Sequence, residues 1–181
     1  MTVALVLGGG DCVWDDVNAA LEVGEFDGVV ACNDAGAAWP GRLDGWVSLH
    51  SDRFAIWSRR RERARLQPAD RLFGHKEAAR EGRPAVTYTE FRFPGQENSG
   101  SSGLFALKVA LIDLGFDRAV LCGVPMSVEH RHFFEDQPWR GAINHRRGWG
   151  QAMPQIKDRA RSMSGWTKEQ LGAPDAAWLT Q

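Results

Sequence analysis

Two glycine-rich turns, Gly8-Gly9-Gly10-Asp11-Cys12 and Ser99-Gly100-Ser101-Ser102-Gly103, each stand where an apolar segment hands over to a helical pattern. The first follows the strand-like run Val3-Ala4-Leu5-Val6-Leu7 and precedes a helix whose apolar side is Val13, Val17, Ala20 and Leu21, the stripe of a helix laid on a sheet. A turn of this kind leaves backbone N–H groups unpaired at a helix N-terminus, where they and the helix dipole attract an anion. Together the turns point to a nucleotide-phosphate site.

The alternation continues along the chain. Residues 28–32 and 45–49 read as strands, 52–67 as a charged helix, 71–74 as a short apolar piece, and 84–89 as a segment rich in β-formers. A polar loop, 94–102, leads into a helix over 103–114 that is apolar on most sides and is capped by Gly115; residues 118–123 read as a fully buried strand. This pattern predicts an α/β fold, a Rossmann-like three-layer sandwich with a mainly parallel sheet of five or six strands and helices on both faces. Residues 124–150, rich in His, Arg, Trp, Gly and Pro without sustained periodicity, are expected to form a lid over the strand ends. Beyond them, 151–158 reads as a helix, 159–163 as a short strand and 167–171 as a last helical turn or two.

A chain of 181 residues is expected to be a single nucleotide-binding domain, 1–181, with a core over about 1–126 and a lid and C-terminal extension over about 124–181. Its apolar stretches stop short of the roughly 20 residues of a membrane span and no leader precedes the first strand, so a cytoplasmic location is expected. Cys12, Cys32 and Cys122 lack CxxC spacing and read as reduced core residues, without zinc. The net charge of −1 argues against bulk binding of nucleic acid. Arg59, Arg60, Arg61, Arg63 and Arg65 read as a solvated helix face; Arg140, Arg146, Arg147, Arg159 and Arg161 are open to an anion-facing role. The eight tryptophans suit core or lid packing, and any that are exposed would mark a homo-oligomer surface.

In an open sheet of this kind ligands collect at the carboxyl ends of the strands. The polar residues fall there: Gly8 to Asp11 after the first strand, Asn33 and Asp34 after the second, Ser48, His50, Ser51 and Asp52 after the third, and residues 123–132 after the strand at 118–122. Each has a purely structural alternative, a tight turn for the triglycine, a turn and cap for Asn33-Asp34, and a helix cap for Ser51-Asp52. A dinucleotide fingerprint fails because residue 13 is Val, and no GxxxxGK[ST] loop is present.

The order Leu7-Gly8-Gly9-Gly10-Asp11-Cys12, Ala31-Cys32-Asn33-Asp34, Ser99-Gly100-Ser101-Ser102-Gly103-Leu104 and Leu114-Gly115-Phe116, continuing to Gly123-Val124, resembles the Rossmann-like superfamily of the family 42 bacterial sialyltransferases and the MptE-like 6-hydroxymethylpterin diphosphokinase proteins. The resemblance covers roughly residues 3–126. It implies a nucleotide or nucleotide-sugar held by Gly8, Gly9, Gly10 and Asp11, with Asn33 and Asp34 near the ribose or phosphate and Ser99, Gly100, Ser101, Ser102 and Gly103 closing the site. Asp11-Cys12 stand where the group has Pro-Ser, which brings a carboxylate into the phosphate loop, and Pro125 stands where it has Asp.

Two chemistries follow. Glycosyl transfer from a cytidine-nucleotide sugar needs a base for the acceptor hydroxyl, and the resemblance assigns it to a lid histidine. The choices are His130, His132 and His145, with His132 favoured and His50 as a competing candidate outside the lid. Diphosphoryl transfer needs Mg²⁺, for which strand-end logic offers Asp11, Asp34 and Asp52, with Arg53, Arg131, Arg146 and Arg147 as phosphate clamps. The reading adopted is a nucleotide- or nucleotide-sugar-binding transferase of the glycosyltransferase type. The alternatives are a Mg²⁺-dependent diphosphokinase and a non-catalytic nucleotide-binding module.

Overall fold

The computed structural model describes residues 1–76 and 85–181. Strand β1 (Val3–Leu7) is buried along its whole length. Successive side chains of a strand point to opposite faces, so Ala4 and Val6 enter one hydrophobic core and Val3, Leu5 and Leu7 the other. A strand that is apolar on both faces belongs in the middle of a parallel sheet covered by helices on both sides.

The chain continues through α1 (Val13–Val23), β2 (Gly28–Cys32), α2 (Asn33–Ala38), β3 (Gly45–Ser48), α3 (Phe54–Arg63), β4 (Leu72–His75), β5 (Val86–Thr89), α4 (Ser101–Lys108) and β6 (Arg118–Cys122). It ends with α5 (Ala142–Ile156), β7 (Ala160–Ser162), α6 (Gly165–Leu171) and α7 (Ala176–Thr180). The sheet has seven strands in the order β5-β4-β3-β2-β1-β6-β7, every neighbouring pair parallel. The expected five or six strands become seven: the short apolar piece at 71–74 is strand β4, and the expected short strand at 159–163 is edge strand β7. The expected start of the fifth strand, Pro84, lies outside the described residues. Helices α4 and α5 cover one face through Leu104, Leu107, Trp149 and Ile156; α1, α3 and α7 cover the other through Val17, Phe54, Trp57 and Trp178. No described helix is long and apolar enough to cross a membrane.

Three expectations are corrected. Leu21 is 52% exposed, because the buried arc of α1 is Val13, Asp16, Val17 and Ala20. At 100° per residue Leu21 sits about 90° from the centre of that arc. Arg61 does not belong to the solvated arginine face: it is 1% exposed, and its guanidinium donates to the carbonyls of Gly36 (2.9 Å), Trp39 (2.5 Å), Gly41 (2.7 Å) and Gln67. Trp46, Trp57, Trp149 and Trp178 are buried, and Trp14, Trp39, Trp139 and Trp166 are half-buried, rather than exposed.

Helix α4 runs into a single π-helical turn, Val109–Asp113, closed by Leu114 N–H donating to the Val109 carbonyl at 2.9 Å. This widened turn brings residues five apart together. Lys108 Nζ reaches Asp113 Oδ2 at 2.8 Å, and both side chains bond Thr89 on edge strand β5. Lys108 is 5% exposed, so the pair is a buried tie between the sheet edge and the helical layer. Asp113→Ala, which strands that ammonium, should cost about 3–5 kcal/mol in urea unfolding. Lys108→Met should cost clearly less.

Candidate functional site

The strand order reverses at β1, whose neighbours are β2 on one side and β6 on the other. The crevice at the carboxyl ends of such a switch point is where open α/β sheets take ligands. A cavity of about 340 Å³ opens there, walled by Gly8, Gly9, Gly10, Asn33, His50 and the start of α4. The lid closes it with His130, Arg131, His132 and Trp139.

The triglycine loop is stitched to its surroundings. Gly8 N–H donates to the Cys122 carbonyl (2.7 Å), Gly10 N–H to Gly123 (2.8 Å), Asp11 N–H to Arg131 in the lid (2.8 Å), and Val13 N–H to Gly10 (2.9 Å). The expected set of free amides is therefore narrowed: in this loop Gly9 N–H, on the cavity wall, and Cys12 N–H, at the start of α1, have no acceptor among the described residues. The glycines serve close approach as well. A Cβ on Gly8 would stand 2.3 Å from the Gly123 oxygen, and one on Gly9 2.6 Å from His132 Nδ1.

Asn33, Ser101 and Met126 all have positive φ (50°, 75° and 47°) and all line the cavity. Side chains other than glycine seldom adopt this region, and its use at three points of one wall means that the surrounding contacts enforce it. At Asn33 those contacts are visible: its carbonyl accepts from Trp46 Nε1 (2.7 Å) and its Oδ1 from Ser48 Oγ (2.8 Å). Ser101, Ser102 and Gly103 reach the cavity as the first turn of α4, whereas Ser99 and Gly100 stand behind them. His145 Nδ1 lies 3.3 Å from the Ser99 carbonyl oxygen.

Helix α5 corrects the sequence reading of this region, beginning inside the stretch expected to be irregular and nine residues before the expected start at 151. Gly148, Gly150 and Pro154 hide its period. Gly148 is needed where the helix crosses the second turn, since a Cβ there would lie 2.5 Å from the carbonyl oxygens of Asn98 and Ser99. The same crossing brings His145 to the cavity. In the lid, His132 lies between Phe134 and Trp139, at ring separations of 5.5 and 5.8 Å, and Trp139 meets His145 at 5.5 Å. His132 Nδ1 is buried without a partner. Ser127 and Trp139 also line the cavity and carried no specific signal in the sequence.

The carboxylates are distributed differently from the expectation. Asp34 points away and pairs with Arg60 at 2.8 Å, and Asp52 is exposed in the turn Ser51–Arg53; neither lines the cavity. Asp11 accepts or shares a proton with His130, Oδ1 to Nδ1 at 2.7 Å. Among the described residues, Asp11, Cys12 and His130 form the one group whose donor atoms lie within 4.8 Å of one another. One oxygen, one sulfur and one nitrogen do not suit Mg²⁺, which takes oxygen ligands. Burial, reinforced by the Asp16 and Asp11 carboxylates and opposed by the hydrogen bond shared with Ser164, pushes the Cys12 thiol up to about 12. The expected Mg²⁺ site is not assembled.

Among the described residues, the cavity wall has instead four histidines, His50, His130, His132 and His145, one arginine, Arg131, and no aspartate or glutamate. The other arginine candidates are engaged elsewhere or stand off the wall. Arg146 donates to the Met126 carbonyl (2.9 Å) and lies over Trp166; Arg159 and Arg161 bond backbone carbonyls; Arg53 and Arg147 are exposed. A wall with hydroxyls, imidazoles and a guanidinium but no carboxylate is suited to an anionic ligand.

Two expectations can be measured here. Cys12 should resist iodoacetamide in the folded protein at pH 8 and react at the rate of a free thiol only after unfolding. Because its folded value is raised from 9.0 to about 12, its contribution to stability is complete below pH 9 and is lost as the pH rises toward 12. Gly9→Ala should displace the His132 ring, cost about 1–3 kcal/mol and shift the His132 ring signals in NMR spectra while leaving the sheet intact.

No protein-family model matches the chain, and no curated protein sequence matches it. Solved structures do. Sialyltransferase CstII from Campylobacter jejuni in complex with cytidine-5'-monophosphate is 13% identical, with a TM-score of 0.62 over 97% of this chain and 87% of that one. Sialyltransferase CST-II with a trisaccharide acceptor and CMP is 12% identical, with a TM-score of 0.63 over 96% and 87%. The monofunctional α-2,3-sialyltransferase Cst-I from Campylobacter jejuni is 10% identical, with a TM-score of 0.65 over 100% and 82%. At these identities the chain has the fold of the sialyltransferases; the similarities give no support to the diphosphokinase half of the resemblance.

Proposed function

We propose that residues 1–181 act as a single nucleotide-binding domain that transfers a sugar from a cytidine-nucleotide donor to a hydroxyl acceptor. The observation that carries this reading is the wall at the switch point, on which the described residues place four histidines, one arginine and the Ser101-Ser102 turn but no carboxylate. The two similar CstII structures hold CMP, which supports a cytidine nucleotide as the carrier of the donor sugar. A metal-dependent phosphotransferase requires clustered carboxylates, and Asp34 and Asp52 are held away from the cavity.

In this reading the donor phosphate sits against Gly9 N–H and the first turn of α4, whose hydroxyls and dipole favour negative charge. Asn33, locked by Trp46 and Ser48, meets the nucleoside part. The leaving nucleotide gains negative charge as the glycosidic bond breaks, and Arg131 is the guanidinium on the wall that can offset it. A lid histidine takes the proton of the attacking hydroxyl. His132 and Trp139, whose tilted rings lie 5.8 Å apart on the wall, offer ring faces to a sugar.

Thermal unfolding with CMP, CTP, GTP, ATP and UDP, each with and without Mg²⁺, tests the donor. A cytidine nucleotide at about 100 times its dissociation constant should stabilise the fold by roughly 2.7 kcal/mol, with chelator making no difference. No shift with CMP or CTP at millimolar concentration would overturn the reading. Tight binding of CMP with no product from a CMP-activated sugar over hours would favour a binding module, for which Cys12 and Pro125 in place of the group's Ser and Asp already speak.

A further inference from the structure

The wall of the cavity includes His130 but not Asp11, which stands behind it with Oδ1 at 2.7 Å from His130 Nδ1. Asp11 is itself fixed from two directions: its backbone N–H donates to the Arg131 carbonyl (2.8 Å) and its Oδ2 lies 3.7 Å from Arg131 Nε. The side chains of Asp11 and His130 are 31% and 29% exposed, so water competes only in part for their bond. His130 Nε2 has no partner among the described residues. His132, by contrast, is wedged between two aromatic rings over Gly9, with its Nδ1 buried and unpaired, and no carboxylate orients it.

We infer that Asp11 is a positioning residue that holds His130 with its proton on Nδ1, and that His130 Nε2 is the base of the transfer reaction. The inference rests on the transferase reading above and deepens it. A neutral imidazole has one donor and one acceptor nitrogen, and the partner of one decides the role of the other. A carboxylate at Nδ1 takes that N–H and leaves the Nε2 lone pair free. The acceptor oxygen bonds the anomeric carbon, the bond from that carbon to the phosphate oxygen breaks with its electron pair on the departing CMP, and the hydroxyl proton passes to Nε2. The resulting imidazolium lies against the Asp11 carboxylate, which lowers the cost of its charge. The carboxylate in the phosphate loop thus serves the lid histidine and does not face the anion.

The test reads the pair with and without turnover. In protein labelled with ¹⁵N-histidine, the neutral His130 ring should carry its proton on Nδ1, and in Asp11→Ala it should revert to the Nε2–H form favoured by a free side chain. With a CMP-activated sugar, Asp11→Ala and Asp11→Asn should lower kcat about tenfold or more with KM for the donor changed less than about twofold. Asp11→Ala combined with His130→Ala should be no slower than His130→Ala alone, because the carboxylate acts only through the ring. An Nε2–H ring in the unaltered protein, a kcat within twofold on loss of Asp11, or a change confined to KM would overturn the inference. If the unaltered protein turns over no cytidine-nucleotide sugar, the transferase reading fails, and the role of Nε2 as its base with it. The ring tautomer is read without turnover and decides the pairing separately.

Discussion

The backbone bonds that join the loop after β1 to the end of β6 and to the lid determine most of what this molecule presents at its strand ends. Gly8 and Gly10 donate to consecutive carbonyls, Cys122 and Gly123, so the loop continues the sheet's own hydrogen bonding past the last residue of β1. Asp11 then passes the ladder to Arg131, and Phe133 N–H returns it to the Gly9 carbonyl at 3.0 Å. Contacts this close exclude a side chain at Gly8 or Gly10, where a Cβ would meet the Gly123 oxygen or Pro125 Cδ. The lid is thereby anchored to the fold at the loop that forms the floor of the cavity.

Charge follows from the same arrangement. Cations that serve the architecture are buried away from the site: Arg61 is shared among four carbonyls and Lys108 is matched by Asp113. Carboxylates near the strand ends are likewise occupied, Asp34 by Arg60, and Asp16 by Gly123 N–H (2.8 Å) and Ser164 Oγ (2.6 Å). Among the described residues, what is left on the cavity wall is neutral or cationic, with the Arg131 guanidinium shared between Asp136 (3.3 Å) and Asp11 (3.7 Å). That is a favourable surface for a phosphorylated ligand, because each carboxylate removed from the wall removes a repulsion that a low-dielectric crevice would amplify.

The framework was legible in the sequence where a segment is long or its composition is extreme. The central strands β1, β2 and β6 are near-continuous apolar runs, and the rim after them was marked by Gly8, Asn33 and Gly123 respectively. Single-residue turns were not legible. Asn33 and Asp34 are adjacent, yet the left-handed backbone at Asn33 sends one into the cavity wall and the other to Arg60. His145 was visible only as one of three lid histidines, since two glycines and a proline concealed the helix that carries it. Arg61 looked like its neighbours because burial of one arginine among five depends on where carbonyls from α2 and the loop after it converge.

The three left-handed torsions at Asn33, Ser101 and Met126 bear on the kinetics of recognition. These torsions are part of the folded wall, that of Asn33 held by Trp46 and Ser48, so a ligand entering the cavity would meet a wall already formed. Little ordering entropy is then lost in binding, and most of the favourable contact energy appears as affinity. Backbone bonds tether the lid between Met126 and Gly141 to Gly9 and Asp11, so widening the entrance to the cavity would require loosening those bonds.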